Sequence, residues 1–149
     1  MKGLRRALFR APIAFYRLGL GRLLGKRVLL LVHTGRRSGL RRETVLEVAD
    51  REGLAPIVVS GFGPASDWFR NLQKHPRVQV TWAGRRFEAG ASILSQTEAS
   101  EVFRRYRSAH PRAARALGSA LGMSILDDPE GAAAAMPVVR LDPVPPAPS

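Results

Sequence analysis

The segment Thr34-Gly35-Arg36-Arg37-Ser38-Gly39, followed by Arg42, carries the best-defined chemistry in the chain. Glycines let the backbone come close to a ligand and bare its N–H groups, guanidiniums grip phosphate or carboxylate two bonds at a time, and Ser38 adds a hydroxyl donor. These residue types in that order describe either an anion site or a solvated hairpin tip. A second anion-friendly element is the start of a short helix near Asp67, preceded by the loop Ser60-Gly61-Phe62-Gly63. On that helix Trp68 and Asn71 stand three apart and share a face, so an aromatic wall and an amide are available to border a planar ring.

Other chemistries find few residues to carry them. His33, His75 and His110 are far apart, and none has a His, Asp or Glu at metal-ligand spacing, which leaves each a structural or surface role and no metal site. The serines sit in no strained elbow sequence, and the glycines follow neither the phosphate-loop pattern nor the dinucleotide fingerprint. Asp127-Asp128, in a loop, is the one pair of adjacent carboxylates, which argues against glycoside hydrolysis. An enzyme with this inventory takes its chemistry from a bound cofactor.

The 149 residues include 24 Lys plus Arg against 12 Asp plus Glu, a formal net charge of +12. The excess is confined to one end. The first acidic residue is Glu43, and twelve cations precede it, so residues 1–42 hold the entire net charge. At 45% hydrophobic and 24% charged the composition is that of a globular domain, and a chain of this length normally makes one. Cysteine is absent, which removes disulfides and thiolate chemistry and fits a reducing compartment. No apolar run approaches the roughly 18 residues a spanning helix needs. Neither is there a signal-peptide pattern, so the expectation is a cytoplasmic protein, with attachment to the inner face of the membrane as a variant.

The rest of the chain supplies the strands and helices around that turn. Residues 1–27 read as a basic helical arm in two segments about Pro12, with Phe9, Ile13, Tyr16, Leu20, Leu23 and Leu24 on one side. Three destinations suit it: the surface of the domain, an anionic membrane, or, less well for want of neighbouring aromatics, nucleic acid. Val28–Thr34 then reads as a strand, Leu40–Ala49 as its hairpin partner, and Leu54–Ser60 as a third strand whose Pro56 suggests an edge or a bulge.

A helix over Trp68–Lys74, capped by Ser66 or Asp67, leads to a second hairpin, Val78–Trp82 and Arg85–Leu94, about a tight Ala83-Gly84 turn. Ser95 and Glu98 make a capping box opening a helix to Ala109, and Pro111 opens another with Ala114, Leu117 and Leu121 inward. Met136–Leu141 is the last strand, and the prolines from Pro143 to Pro148 form an extended, disordered tail. Six mostly antiparallel strands in so short a chain are best closed into a small barrel, which removes the edges. The fold expected is mainly β with flanking helices, and the domain spans residues 28–142.

At this point the chain resembles a known family. Leu29–Gly39, Arg42, Val59-Ser60-Gly61 and Asp67–Val80, with the pattern TGRxSG followed by WxxNLxxxPxV, look like the deazaflavin-dependent nitroreductase and quinone reductase family. The resemblance implies a six-stranded split β-barrel related to FMN-binding barrels, and coenzyme F420 as the cofactor, with FMN the lesser alternative. It implies that Gly35, Arg36, Arg37, Ser38, Gly39 and Arg42 hold the phosphate and acidic tail, and that Ser60, Gly61, Trp68 and Asn71 border the ring or its linker. It further implies hydride transfer to a small-molecule acceptor, a quinone or an activated nitro or enone compound.

The nitroreductase branch of that family has a lysine where Gly61 stands and tyrosines in its C-terminal helices. Here Tyr106 and His110 are the residues left to donate a proton. The competing expectation is a non-catalytic barrel that binds a flavin or deazaflavin, or that attaches to membranes.

Overall fold

A computed structural model of the chain describes residues 26–121 and 127–145. Residues 1–25 of the expected arm and the last four residues of the tail lie outside them. Six strands form a closed, wholly antiparallel barrel: β1 (Val28–Thr34), β2 (Arg41–Glu52), β3 (Ala55–Val59), β4 (Arg77–Trp82), β5 (Arg85–Ile93) and β6 (Val138–Pro143). Around the barrel the order is β1-β2-β3-β6-β5-β4, with β4 closing on β1. The helices are α1 (Asp67–Lys74), α2 (Gln96–Ala109), α3 (Pro111–Leu121) and α4 (Pro129–Ala135).

The period-two alternation of β1 fixes what the barrel encloses. Leu29, Leu31 and His33 are buried, while Leu30, Val32 and Thr34 point outward. Val78, Val80 and Trp82 of β4, Val58 of β3, and Val139 and Leu141 of β6 join the inward set, and Phe69 and Leu72 of α1 plug one end. A second apolar layer lies outside the barrel, where Ile57 and Val138 meet Val102, Phe103 and Tyr106 of α2, Ala114 of α3 and Ala132 and Met136 at α4. α2, α3 and α4 therefore cover strand faces that would otherwise meet water.

Turn chemistry sets the registers. Ala83 (φ 53°) and Gly84 (φ 75°) both take left-handed backbone, as a two-residue hairpin loop requires. The capping box is formed: Ser95 Oγ accepts from Glu98 N and Glu98 Oε1 accepts from Ser95 N. Trp82 Nε1 donates to Lys26 O at 3.0 Å and pins the chain where it enters β1. Two ladders are short. β1–β4 and β3–β6 pair three residues each, against seven in β1–β2 and six in β4–β5.

Several expectations are revised. Pro56 is not on a sheet edge, because β6 completes the barrel; its missing N–H falls just past the β3–β6 ladder, which ends at Ile57, and the bulge lies opposite on β2, between Val48 and Asp50. That extra residue carries β2 on to Glu52. Ser66 is the N-cap of α1, but its side chain makes no cap bond, and Asp67 sits within the first turn. The segment taken as loop before the last strand contains α4, capped by Asp128 Oδ1 on Gly131 N with Pro129 at the first position. The last strand accordingly begins at Val138 and takes in Pro143, after which Val144 N still donates to Glu88 O. Ala114 faces inward as expected; the side chains of Leu117 and Leu121 lie outside the described residues.

Candidate functional site

The β1–β2 connection and α1 meet at one end of the barrel. Gly35 N donates to Leu40 O at 2.8 Å and Gly39 N donates to Gly35 O at 2.9 Å, so the six residues between the strands curl into a closed turn. Ser38 Oγ accepts from Leu40 N at 3.2 Å and lies across Gly35, where a Cβ would sit 2.5 Å from it. Gly39 takes φ 70°. A side chain at the first position would displace the Ser38 hydroxyl, and the second takes the left-handed backbone that favours glycine.

Asn71 ties this turn to α1. Its Oδ1 accepts from Arg36 N and from Arg36 Nη1, both at 3.0 Å. Because both partners are obligate donors, the amide orientation is settled, and Nδ2 must face His33 Nδ1, 3.0 Å away. The imidazole therefore accepts at Nδ1 and carries its proton on Nε2. Asn71 is 4% and His33 6% exposed, so neither has water as a substitute partner. Burial, and next the Arg42 guanidinium, hold His33 down to about 4, against a weaker upward pull from Asp67. The ring is neutral at physiological pH.

The four arginines of the turn divide into two pairs. Arg36 bonds Asp67 Oδ1 through both terminal nitrogens at 3.2 Å, and Arg41 bonds Glu43 Oε1 at 2.9 Å. Arg37 and Arg42 have no ion-pair partner among the described residues. Neutralised cations shape the turn, whereas unpaired ones leave a positive field at its mouth. Beside it a depression of about 260 Å³ is lined by His33, Thr34, Gly39, Arg41, Gln79 and the Arg77–Glu88 ion pair, among others.

β3 runs antiparallel to β2, with Val58 opposite Val48, and from its end at Val59 the loop Ser60–Gly63 leads on toward α1. Ser60 is wholly buried; its Oγ donates to Gly63 O at 2.6 Å and its N–H to Pro137 O, so the hydroxyl braces its own loop. Gly61 is half-buried in that loop. Trp68 leans on the core, its ring edge-on to Phe69 with centroids 6.1 Å apart.

Tyr106 and His110 are not brought to the turn. The Tyr106 hydroxyl donates to Glu47 Oε1 at 3.0 Å, and burial followed by that carboxylate raises its pKa well above the ordinary range. Glu47 pairs with Val28 at the far end of β1, about 20 Å along β2 from Arg41 at 3.3 Å per residue. His110 ends α2, exposed, with its ring 5.6 Å from that of Tyr106. Sequence reasoning assigned no part at this site to His33, Arg77 or Gln79, and read Asp67 only as a cap. The alternation of Leu29, Leu31 and His33 was the available signal that the histidine faces inward at the turn's root.

A protein-family model described as F420H(2)-dependent quinone reductase matches residues 9–126. Among solved structures, an F420-H2 dependent reductase (FDR-A) is 20% identical, with 79% of this chain and 96% of that one covered at a TM-score of 0.57. A pyridoxamine 5′-phosphate oxidase-related, FMN-binding protein from Nostoc punctiforme is 15% identical (80% and 71% covered, TM-score 0.53). The heme storage protein HutZ from Vibrio cholerae is 14% identical (84% and 87%, TM-score 0.55). At these identities the structures share the barrel fold alone. No curated protein matches the chain.

Proposed function

The chain belongs to the F420H(2)-dependent quinone reductase family, an oxidoreductase using coenzyme F420, and from that membership we propose that it reduces quinone-like acceptors with the cofactor's acidic portion held at the arginine turn. What supports the location is the division of the arginines: Arg37 and Arg42 are unpaired among the described residues on a turn whose shape Arg36, Asn71 and Ser38 already fix. The residues fit a polyanion. The turn offers guanidiniums, backbone N–H groups and the Ser38 hydroxyl, and a Cβ at Gly35 would fill the space that Ser38 Oγ takes up.

In this reading Arg37, Arg42, Ser38 and the Gly35–Gly39 backbone bind phosphate and carboxylates, while Arg36 anchors the turn and presents its outer edge. Gly61 and Trp68 border the ring, the indole face excluding water from one side, and Ser60 keeps their loop closed. The bound cofactor, when reduced, supplies the hydride. The chain's part is to orient two reactants and keep water away, with no general acid within the turn. Activated nitro or enone compounds are further acceptors of the same electronic type.

We further propose that residues 1–27 bring the enzyme to an anionic membrane, where lipid-soluble quinones are met. Eight cations without an anion among the first 27 residues support this. Among the described residues no helix is long and apolar enough to cross a membrane. Titration with coenzyme F420 and with FMN, followed by fluorescence, tests the main reading: micromolar binding of the deazaflavin with weaker FMN binding is expected, and absence of deazaflavin binding would overturn it. Co-sedimentation with anionic but not neutral vesicles tests the second.

A further inference from the structure

We infer that His33 and Asn71 are positioning residues for the arginine turn: the neutral imidazole inside the barrel orients the Asn71 amide, and that amide fixes the backbone and guanidinium of Arg36. The inference rests on the reading of the turn as the grip for an anionic cofactor, and it goes further by placing the control of that grip inside the barrel.

The chain of bonds has a direction. His33 is held by β1, whose inward residues are packed on every side by the core. Its Nδ1 lone pair takes one Asn71 Nδ2 hydrogen. That leaves Asn71 Oδ1 facing outward, the one orientation in which it accepts both Arg36 N–H and Arg36 Nη1. With Arg36 so fixed, its guanidinium lies against Asp67 and is spent within the protein, and the next residue, Arg37, is exposed. Without the acceptor at His33 the buried Asn71 Nδ2 loses that partner, and only the two Arg36 donors on Oδ1 hold the amide. The turn then keeps its Gly35–Leu40 and Gly39–Gly35 bonds and the exposed Arg36–Asp67 pair, while its buried tie to α1 through Asn71 is weakened.

An asparagine at position 33 offers Oδ1 close to where the imidazole presents Nδ1, while leucine fills the volume and offers no acceptor. The test compares His33→Leu and His33→Asn in the full chain. In the ligand-free proteins, amide hydrogen exchange at Arg36 is expected to speed up about tenfold in His33→Leu and to return to within about threefold of the parent in His33→Asn, as the buried bond is lost and restored. Binding of coenzyme F420 should weaken by about tenfold in the first variant and recover in the second, with kcat at saturating cofactor unchanged and the loss confined to KM.

Unaltered Arg36 exchange in His33→Leu, or equal impairment of both variants, would overturn the inference. Should His33→Leu not fold, nitrogen-15 spectra of the parent imidazole still decide: a proton on Nε2 at pH 7 is expected, and a proton on Nδ1 overturns the inference. Exchange and tautomer are read without cofactor, so failure of the parent to bind F420 sinks the functional reading while these two measurements still judge the wiring.

Discussion

The Tyr106 hydroxyl and the Glu47 carboxylate close the seam between α2 and β2 with a 3.0 Å bond, at the opposite end of the β1–β2 hairpin from the arginine turn. A phenol donating to a carboxylate and deprived of water has little tendency to give its proton away. Tyr106→Phe is therefore expected to leave quinone reduction within about twofold of the parent while costing about 1 kcal/mol of stability, the typical worth of such a bond. Steady-state kinetics beside urea unfolding checks both halves. A large fall in kcat would restore Tyr106 as a proton donor.

The unpaired arginines make a separable prediction. Arg37→Ala should weaken F420 binding by about 1–3 kcal/mol, since it loses charge-assisted bonds to an anion and breaks nothing within the protein. Its unfolding midpoint should stay where it was. Arg36→Ala should weaken binding too, but with a measurable loss of stability, because Asn71 Oδ1 keeps the backbone donor and loses the Nη1 bond while Asp67 loses its ion pair. Fluorescence titration and thermal unfolding of the two variants distinguish them.

Gly35→Ala should disturb the turn through a single contact. The new methyl falls 2.5 Å from Ser38 Oγ, so the hydroxyl must leave and its bond to Leu40 N breaks. A cost of about 1–3 kcal/mol is expected from such overpacking, with weaker F420 binding. Adding Ser38→Ala removes the colliding atom and should recover the overpacking part of the loss, but neither the bond to Leu40 N nor the hydroxyl contact to the cofactor. A double variant no more stable than Gly35→Ala would show that the strain lies elsewhere.

Acid stability should carry the mark of His33. Its folded value of about 4 lies below the ordinary 6.5, so as pH falls through 6.5 the unfolded chain takes up a proton that the folded chain refuses. Stability present above pH 6.5 is thus lost progressively down to pH 4, by about 2–3 kcal/mol. Urea unfolding at pH 7 and pH 4 should show that much less dependence in His33→Asn, whose residue 33 does not titrate. Equal slopes in both proteins would refute the assignment.

The parts of the fold that were legible in the sequence share a local cause. Val28–Thr34 is a β-branched and aliphatic run of strand length, Ala83-Gly84 is a two-residue hairpin turn, and Ser95 with Glu98 is a reciprocal cap; each is decided within a few residues. Helix α4 was missed because Asp127-Asp128-Pro129 followed by alanines reads as a loop until the apolar surface of α2 and β6 is there to receive Ala132 and Met136. At the site, the turn was visible as glycines and arginines, but which arginines are spent internally depends on Asp67 and Glu43. Glu43 stands two residues from its partner, whereas Asp67 is 31 positions away. Asn71 was recognised as a site residue, but its bonds to Arg36 and His33, 35 and 38 positions distant, could not be read from its own neighbourhood.

The unequal ladders make the barrel two three-stranded leaves, β1-β2-β3 and β4-β5-β6, stitched together by two joints of three residue pairs each. Breathing costs the fewest bonds along those joints. Helix α1 is the strap that leads from the first leaf to the second, and the Arg36 clasp on Asp67 and Asn71 buckles that strap back onto the leaf that carries the arginine turn. Whatever tightens the turn therefore shortens the strap's free play and braces the joint between β1 and β4, so occupancy of one surface loop is felt as stiffness of the whole cylinder.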